Sequence, residues 1–249
     1  MIKKHLNEVN STNTYAKEHI KNIKDKTIIY TSHQTGGRGR FNRVWVDLGE
    51  ENLFLSIVLK PSKNLKPVYS NLTQYTALKL AKTFEEYGIF PKIKWPNDIL
   101  INEKKISGIL AESIMSKGML KALIIGVGLN LNAKEEDFAQ IDKIVTALNL
   151  EIKTPVDKKE FLNKFCKNFF DNYEYFLEHG FISIKSEYES YANFIGKEVT
   201  IKNFSTTIKG IAEKITDNGA IIIDGQEFLT GDIIWKIKNH VGRGLPSIL

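Results

Sequence analysis

Between Gln34 and Trp45 the chain reads Gln-Thr-Gly-Gly-Arg-Gly-Arg-Phe-Asn-Arg-Val-Trp, which puts three glycines and three arginines into the eight residues from Gly36 to Arg43. Glycine lets successive backbone N–H groups turn toward an anion with no Cβ in the way, and a guanidinium fork grips phosphate or carboxylate through two N–H groups at once. The segment is therefore suited to holding anions. On these residues alone, an exposed flexible turn and a Gly-Arg segment for RNA remain open. Two familiar phosphate fingerprints are missing: there is no Gly-x-x-x-x-Gly-Lys-Ser/Thr, and neither Gly37-x-Gly39 nor Gly126-x-Gly128 continues to the final glycine of Gly-x-Gly-x-x-Gly. A P-loop kinase and a Rossmann oxidoreductase are disfavoured.

Three further segments carry chemistry. In Lys94-Trp95-Pro96-Asn97-Asp98 the proline stiffens a turn at a strand end, and the amide and carboxylate after it project beyond the strand. An Asp there can hold Mg²⁺ or a ribose hydroxyl; the plainer alternative is a local Asx turn beside a packed Trp. Lys105 enters the run Lys105 to Glu112, where a lysine at a pocket mouth neutralises a transferring phosphate and a reacting carboxylate together, unless it is simply a solvated strand-end lysine. In Gly126-Val127-Gly128-Leu129-Asn130-Leu131-Asn132 the glycines admit close approach of a ligand or another backbone. Asn130 there can read an amide or adenine edge, or sit in a bulge with its own bonds satisfied.

Periodicity supplies the elements that must position these segments. Ser11 or Thr12 caps a helix with Tyr15, Ala16, His19, Ile20 and Ile23 on one face, ending between Asn22 and Asp25. Strands are expected at Thr27 to Thr31 and Asn52 to Lys60, on either side of the Gly-Arg loop. Leu72 to Phe84 has helical spacing, with Gly88 placed as its C-terminal cap. Short strands follow near Ile93 to Trp95, Ile99 to Ile101 and Ile106 to Glu112, with Asn102-Glu103-Lys104 as a hairpin turn, and then a longer strand at Ala122 to Asn132. Thr154-Pro155 opens a third helix with Phe161, Phe165, Phe169, Tyr173 and Phe176 as a core stripe, ended by Gly180. Past Gly196, short runs at Val199 to Lys202, Thr207 to Ile215, Ala220 to Asp224 and Ile233 to Lys238, with turns at Asp217-Asn218-Gly219 and Asp224-Gly225, indicate a small barrel of about five strands. The expected division is a domain of residues 1–195, a smaller one of 196–238 and a tail of 239–249.

The bulk composition bounds the function class. With 42% hydrophobic and 26% charged residues, 249 residues make one large or two unequal globular domains with a real core. No apolar run approaches the roughly 18 residues of a membrane span, and the start, Met1 to Asn10, lacks the apolar stretch of a secretory signal, so a cytoplasmic protein is expected. Cys166 is the one cysteine and permits no internal disulfide, and the five histidines lack the close spacing of a zinc site. The net charge of +6 is spread among 29 acids and fits an anionic small ligand or an acidic protein as well as it fits nucleic acid.

Taken in order, the four segments resemble the catalytic domain of biotin protein ligases. The family's ligand loop reads Gly-Arg-Gly-Arg-x-x-Arg-x-Trp, as Gly37 to Trp45 does. Lys-Trp-Pro-Asn-Asp, Lys-x-x-Gly-Ile-Leu and Gly-x-Gly-x-Asn follow at Lys94 to Asp98, Lys105 to Leu110 and Gly126 to Asn130, and Ser11-Thr12-Asn13 matches the family's Ser-Thr-Asn. Each motif is weak by itself; the ordered set, from Asn10 to Asn132, is highly specific.

The resemblance implies an α+β fold: an SH2-like catalytic domain with a central mixed sheet and flanking helices, and a C-terminal SH3-like β-barrel. It also implies a two-step reaction in which the biotin carboxylate attacks the α-phosphate of ATP, with Mg²⁺ assisting, to give biotinyl-5′-AMP and pyrophosphate. A lysine of a biotin carboxyl carrier protein, from acetyl-CoA carboxylase or another biotin-dependent enzyme, then takes the biotinyl group and AMP leaves. By similarity, Ser11, Thr12 and Gln34 hydrogen-bond the ureido ring, Gly37, Trp45, Gly108, Leu110 and Gly126 line the ring and valeryl pocket, and Arg38 holds the carboxylate end. Arg40, Arg43 and Lys105 form the phosphate clamp, with Arg40 and Lys105 catalytic and Lys105 touching both reactants; Asn97 and Asp98 stand beside it, Asp98 as metal ligand, and Asn130 lies near the adenylate.

Some features depart from the family. Its bifunctional members carry an N-terminal DNA-binding domain, whereas Ser-Thr-Asn appears here by residue 11, so a ligase without repressor function or DNA partner is expected. The adenine-covering stretch, Lys134 to Leu148, has no tryptophan, and Lys236 stands where an Arg often follows the Gly231-Asp232-Ile233 motif. The resemblance leaves open a homodimer through the sheet. A lipoate or octanoyl transferring enzyme shares the fold, and Arg38, Trp45 and the Trp95 to Asp98 segment argue against it.

Overall fold

A computed structural model describes residues 1–49, 52–61, 67–139, 141, 144–203 and 206–235; Lys236 and the tail of 239–249 lie outside the described residues. The larger sheet comprises β1 (Ile2–His5), β2 (Thr27–Thr31), β3 (Leu53–Leu59), β4 (Lys92–Lys94), β5 (Asp98–Ile101), β6 (Lys104–Ser116) and β7 (Met119–Leu129), in the spatial order β1-β2-β3-β7-β6-β5-β4. β1 runs parallel to β2, and the other neighbours pair antiparallel, so the sheet is mixed as expected. The helices are α1 (Thr12–Glu18), α2 (Leu72–Glu85), α3 (Leu148–Ile152), α4 (Lys158–Asp171), α5 (Tyr173–His179) and α6 (Lys185–Tyr191).

Strand alternation gives the two faces of this sheet different jobs. Leu55, Ile57, Ile109, Ile125 and Val127 belong to the main core with the apolar stripes of α2 and α4. Their chain neighbours Ser56, Gly108, Leu110, Gly126 and Gly128 lie on the opposite face, where register pairs Gly108 with Gly128 and Leu110 with Gly126. Farther along that second face, Ala16 and Ile23 pack on Ile29, Val58 and Ile124. One face therefore holds the molecule together while the other leaves room above its glycines.

β8 (Glu198–Lys202), β9 (Thr207–Ile215), β10 (Ile221–Ile223), β11 (Gln226–Phe228) and β12 (Asp232–Ile234) make a second, antiparallel sheet of five strands in the order β11-β10-β9-β8-β12. The three-residue β11 escapes sequence patterning, yet the Asp224-Gly225 turn that leads into it has φ of 44° and 75°, the left-handed pair of a tight hairpin. The turn between β9 and β10 fastens this sheet to the larger one. There the Gly219 carbonyl accepts from Gln74 Nε2 at 2.7 Å and Trp95 Nε1 at 3.1 Å, and the Asn218 carbonyl accepts from Asn71 Nδ2 at 2.8 Å.

Two expected helices differ from observation. The first stops at Glu18 rather than between Asn22 and Asp25, because the chain tightens into turns with Ile20 N bonding Lys17 O and Asn22 N bonding His19 O; Ile20 and Ile23 still reach the core from those turns. The third does not open at Thr154-Pro155. Asp157 caps α4 instead, its carboxylate accepting from Lys159 N at 2.7 Å and Glu160 N at 3.0 Å, while Val156 N is taken by Asn132 Oδ1. The aromatic stripe is buried as expected but is carried by α4 and α5, broken at Asn172.

Gly219 has φ of +84°, and a Cβ there would lie 2.4 Å from Asn71 Nδ2 and 2.7 Å from Gln74 Oε1. Gly219→Val is expected to lower the unfolding free energy by about 2–4 kcal/mol in a urea titration, combining backbone strain with the loss of buried hydrogen bonds.

Candidate functional site

The Gly-Arg segment between β2 and β3 folds back on itself as a short hairpin. Trp45 N donates to Gly37 O at 3.0 Å, Gly39 N to Arg43 O at 2.7 Å, and Arg43 N to Arg40 O at 3.2 Å, with Arg38 opposite Val44. At its tip Phe41 and Asn42 take φ of 55° and 60°. Asparagine accepts this left-handed conformation, whereas for phenylalanine it costs about 1–2 kcal/mol. The Arg40 and Arg43 guanidiniums, 4.9 and 5.7 Å over the Phe41 ring, offset part of that strain. Asp47 fixes the base of the hairpin, accepting from His33 Nδ1 at 2.6 Å, Gln34 N at 2.7 Å and Gly49 N at 2.9 Å.

This hairpin lays Trp45 on the glycine face of the sheet. A Cβ at Gly108 would come within 2.7 Å of the indole, and one at Gly128 within 2.5 Å. Both glycines are therefore required for the ring to lie where it does, which is the physical content of their place in two separate motifs.

Beside Trp45 the charged residues converge. Arg40 Nη1 donates to Asn97 Oδ1, Gly231 O and Asp232 Oδ1, each at 3.0 Å, and Nη2 to Thr230 Oγ1 at 3.0 Å. Arg43 pairs with the second oxygen of Asp232. Burial pushes the Arg40 pKa below its ordinary value, with the charges of Asp232 and Asp98 opposing. Lys105 Nζ donates to Asp98 Oδ1 at 2.8 Å and lies 5.2 Å from the Trp45 ring centre; the same Asp98 oxygen accepts from Asn97 Nδ2 at 2.9 Å. The Lys105 backbone is held from the side by the 144–146 segment, Lys105 N bonding Ile144 O and Thr146 N bonding Lys105 O, both at 2.9 Å. That segment falls in the stretch expected to cover adenine. Asn130 belongs to the same support, donating to Thr146 O at 3.1 Å.

A second, polar group gathers at the start of α1. Gln34 Oε1 accepts from Thr12 N at 2.8 Å and Thr12 Oγ1 at 3.2 Å, and Ser56 Oγ lies 2.8 Å from Thr12 Oγ1 and 2.5 Å from Asn13 Oδ1. Asn13 Nδ2 donates to Leu110 O at 3.2 Å and Glu112 Oε2 at 2.8 Å. Ser11 occupies the cap position of α1 but its side chain makes no capping bond, and its hydroxyl bonds no described residue although the residue is 4% exposed. Arg38 reaches this group rather than the other arginines, donating to Thr14 Oγ1 and Glu112 Oε2, both at 3.3 Å.

The structure thus brings Arg40, Arg43, Asn97, Asp98, Lys105, Trp45 and Gly108 to one place, and Ser11, Thr12, Gln34, Leu110 and Gly126 to a second on the same sheet face, with Gly37 at the root of the hairpin. Arg38 sits at the outer edge of the second group, and Asn130 supports Lys105 from beside it. Three partners were without an assigned role in the sequence reading. Asp232 stands in the Gly231-Asp232-Ile233 motif, but it lies 192 residues from Arg40, so its pairing with the arginines has no local signal. Asn13 and Glu112 had one, as the third residue of Ser-Thr-Asn and the sole acid of the Lys105 to Glu112 strand. Among the described residues no cluster of three or more His, Cys, Asp or Glu is placed to hold a metal, and no helix is long and apolar enough to cross a membrane.

Comparison with known proteins fits this geometry. Residues 6–130, half of the chain, match the model of the Biotin/lipoate A/B protein ligase family. The chain belongs to that family. A bifunctional ligase/repressor of Bacillus subtilis is 34% identical over 208 residues, covering 83% of this chain and 64% of that protein, so the chain spans less than two thirds of that relative's length. A biotin–acetyl-CoA-carboxylase ligase of Paracoccus denitrificans is 29% identical, covering 88% of this chain and 93% of the relative. The solved structure of the Aquifex aeolicus biotin protein ligase in complex with biotin and ATP superposes with a TM-score of 0.80 at 31% identity, covering 94% of this chain and 97% of that one. In this family member the α+β architecture with its mixed sheet matches the expectation from sequence.

Glu112 offers a test of the polar group. Burial by itself would raise its carboxyl, but hydrogen bonds from Lys17 and Asn13, with the charges of Lys17 and Arg38, hold it below the usual glutamate value. A depressed pKa contributes stability that is present above the unfolded-state value and is lost as pH falls through the folded one. Glu112→Gln is expected to lower the melting temperature by a few degrees, about 1 kcal/mol, at pH 7 and to match the parent protein once the pH is below the depressed pKa. Melting curves of both proteins from pH 7 down to the acid limit check this; a gap that persists there contradicts it.

Proposed function

We propose that this chain is an ATP-dependent biotin protein ligase, with residues 1–195 as catalytic domain and 196–238 as the smaller one. The observation that carries the reading is the convergence of Arg40, Arg43 and Lys105 beside Trp45 on its glycine floor, a cationic patch against an apolar surface. A biotin carboxylate and a triphosphate are both anions, so contact between them requires concentrated positive charge in a site shielded from water. The Aquifex structure with biotin and ATP and the Paracoccus ligase support the same assignment.

In this reading Trp45, Gly37, Gly108, Leu110 and Gly126 enclose the ring and valeryl chain, while Ser11, whose hydroxyl bonds no described residue, joins Thr12 and Gln34 at the ureido group. Arg38 turns from Glu112 to the carboxylate end. Lys105, already between Trp45 and Asp98, touches both the carboxylate and the α-phosphate and neutralises charge on the pentavalent transition state; Arg40 and Arg43 hold the phosphates, and Asn130 stands near the adenylate. The carboxylate oxygen bonds to the α-phosphorus as the bond to the pyrophosphate oxygen breaks. The lysine amine of a biotin carboxyl carrier protein then attacks the acyl carbon, and AMP leaves with the bonding electrons.

Asp98 fits a Mg²⁺ ion: one oxygen is engaged by Lys105 and Asn97, and the other bonds no described residue. A single carboxylate with substrate phosphates is an ordinary Mg²⁺ donor set. When bound, the ion would neutralise phosphate charge. The protein requires no nucleophile of its own, and burial pushes the Cys166 thiol up to about 11.

Radiolabelled biotin incorporated into a carrier fragment only when ATP is present is the expected result; ATP-dependent transfer of lipoate, or transfer of octanoate, in its place would overturn the reading. Arg40→Ala and Lys105→Ala are each expected to slow adenylate formation by about 10²-fold or more, measured as biotin-dependent pyrophosphate release.

A further inference from the structure

The charges at the clamp do not balance. Asp232 serves Arg40 and Arg43, and Asp98 serves Lys105, which among the described residues leaves Lys94 without an acid of its own. Lys94 is the cross-strand partner of Asp98 between β4 and β5, and paired residues share a face of the sheet. Its ammonium lies 5.8 Å over the Trp235 ring, which Lys197 approaches at 6.0 Å. It makes no hydrogen bond or ion pair with any described residue. Burial pushes its pKa down, while Asp98 and Asp232 act to raise it and Lys105 and Arg43 to lower it, which puts it in the field of the same cluster. A mostly buried ammonium with no ion pair among the described residues, beside two engaged carboxylates, is costly unless an anion completes it.

We infer that Lys94 is a further phosphate-binding residue of this site and takes the terminal phosphates of the nucleoside triphosphate, the part that leaves as pyrophosphate. The assignment rests on the proposed ligase reading for the direction of the reaction. Asp98 stands between two lysines: Lys105 on the Trp45 side, Lys94 on the Trp235 side. If the group to be activated lies against Trp45, the α-phosphate meets it at Lys105, and the chain of phosphates runs past Asp98 toward Lys94. Four cations, Arg40, Arg43, Lys94 and Lys105, against Asp98 and Asp232 then leave the positive excess that a triphosphate requires.

The test uses Lys94→Met, which keeps the length and removes the charge, and Lys94→Arg, which restores it. Lys94→Met is expected to raise the KM for ATP and the inhibition constant for inorganic pyrophosphate together, by roughly tenfold to a hundredfold. The Kd for biotin, measured by calorimetry without nucleotide, should stay within about twofold, since neutral burial leaves the Trp45 surface intact. Lys94→Arg should recover most of the loss. Without nucleotide, Lys94→Met should melt no lower than the parent, because an unpaired buried charge has been replaced by an apolar chain. Unchanged ATP and pyrophosphate constants would overturn the inference, as would an equal loss of biotin affinity. Direct pyrophosphate titration of the parent and Lys94→Met reads the same contact without turnover. A parent protein that binds pyrophosphate through Lys94 but does not turn over biotin would sink the ligase reading and leave this site standing.

Discussion

Like charges must be held together against their own repulsion for this site to exist. Arg40 and Arg43 share one carboxylate, and two guanidiniums drawn to the same acid repel each other at the effective dielectric of a partly buried site. Asp232 removes that obstacle by giving one carboxylate oxygen to Arg40 and the other to Arg43, and Asp98 does the same service for Lys105. Because Asp232 opens β12 while the arginines sit on the hairpin after β2, the charge cluster can form only where the two sheets meet. The packing of Asn71, Gln74 and Trp95 on the turn at Asn218 and Gly219 is therefore tied to the site, although none of those side chains is in it.

The larger sheet solves the complementary problem of providing a surface that is apolar but shallow. Its inner face is filled by aliphatic and aromatic side chains, which fixes the strands and leaves the outer face with only a small cluster at Ala16, Ile23, Ile29, Val58 and Ile124 to bury. Glycines at 108, 126 and 128 then let Trp45 and the polar start of α1 approach the backbone closely, Asn13 against Gly126 and the indole against Gly108 and Gly128. The strained tip of the hairpin at Phe41 is a local expense of directing two arginines toward one acid.

Much of this is legible in the amino-acid sequence. The strands other than β1 and β11, α2, the aromatic stripe and the turns at Asn102-Glu103 and Asp224-Gly225 follow from short-range physics, where each residue reports on neighbours a few positions away. The residues of the four motifs could be named because glycine, arginine and proline in those orders have few other uses. Helix ends were harder: α1 stops early and α4 starts late because side-chain bonds, such as Asp157 to its own backbone and Asn132 to Val156, compete with apolar spacing. The pairing of Asp232 with Arg40 and the place of Lys94 against Trp235 were not legible, since both depend on contacts between segments more than a hundred residues apart. Arg38 shows the opposite limit: its motif was plain, but its partner Glu112 is fixed only by the register of β6.

The central claim is that one patch of cations brings two anions into a single, mutually stabilising complex. Thermal melting with biotin, with ATP and Mg²⁺, and with all of them together tests it most directly, since a ligand that binds the folded state raises its melting temperature in proportion to the logarithm of its saturation. The account predicts that the combined addition raises the melting temperature by more than the sum of the separate shifts, as expected when an adenylate forms and spans both parts of the site. Separate shifts that merely add, or no shift with ATP whatever else is present, would contradict it.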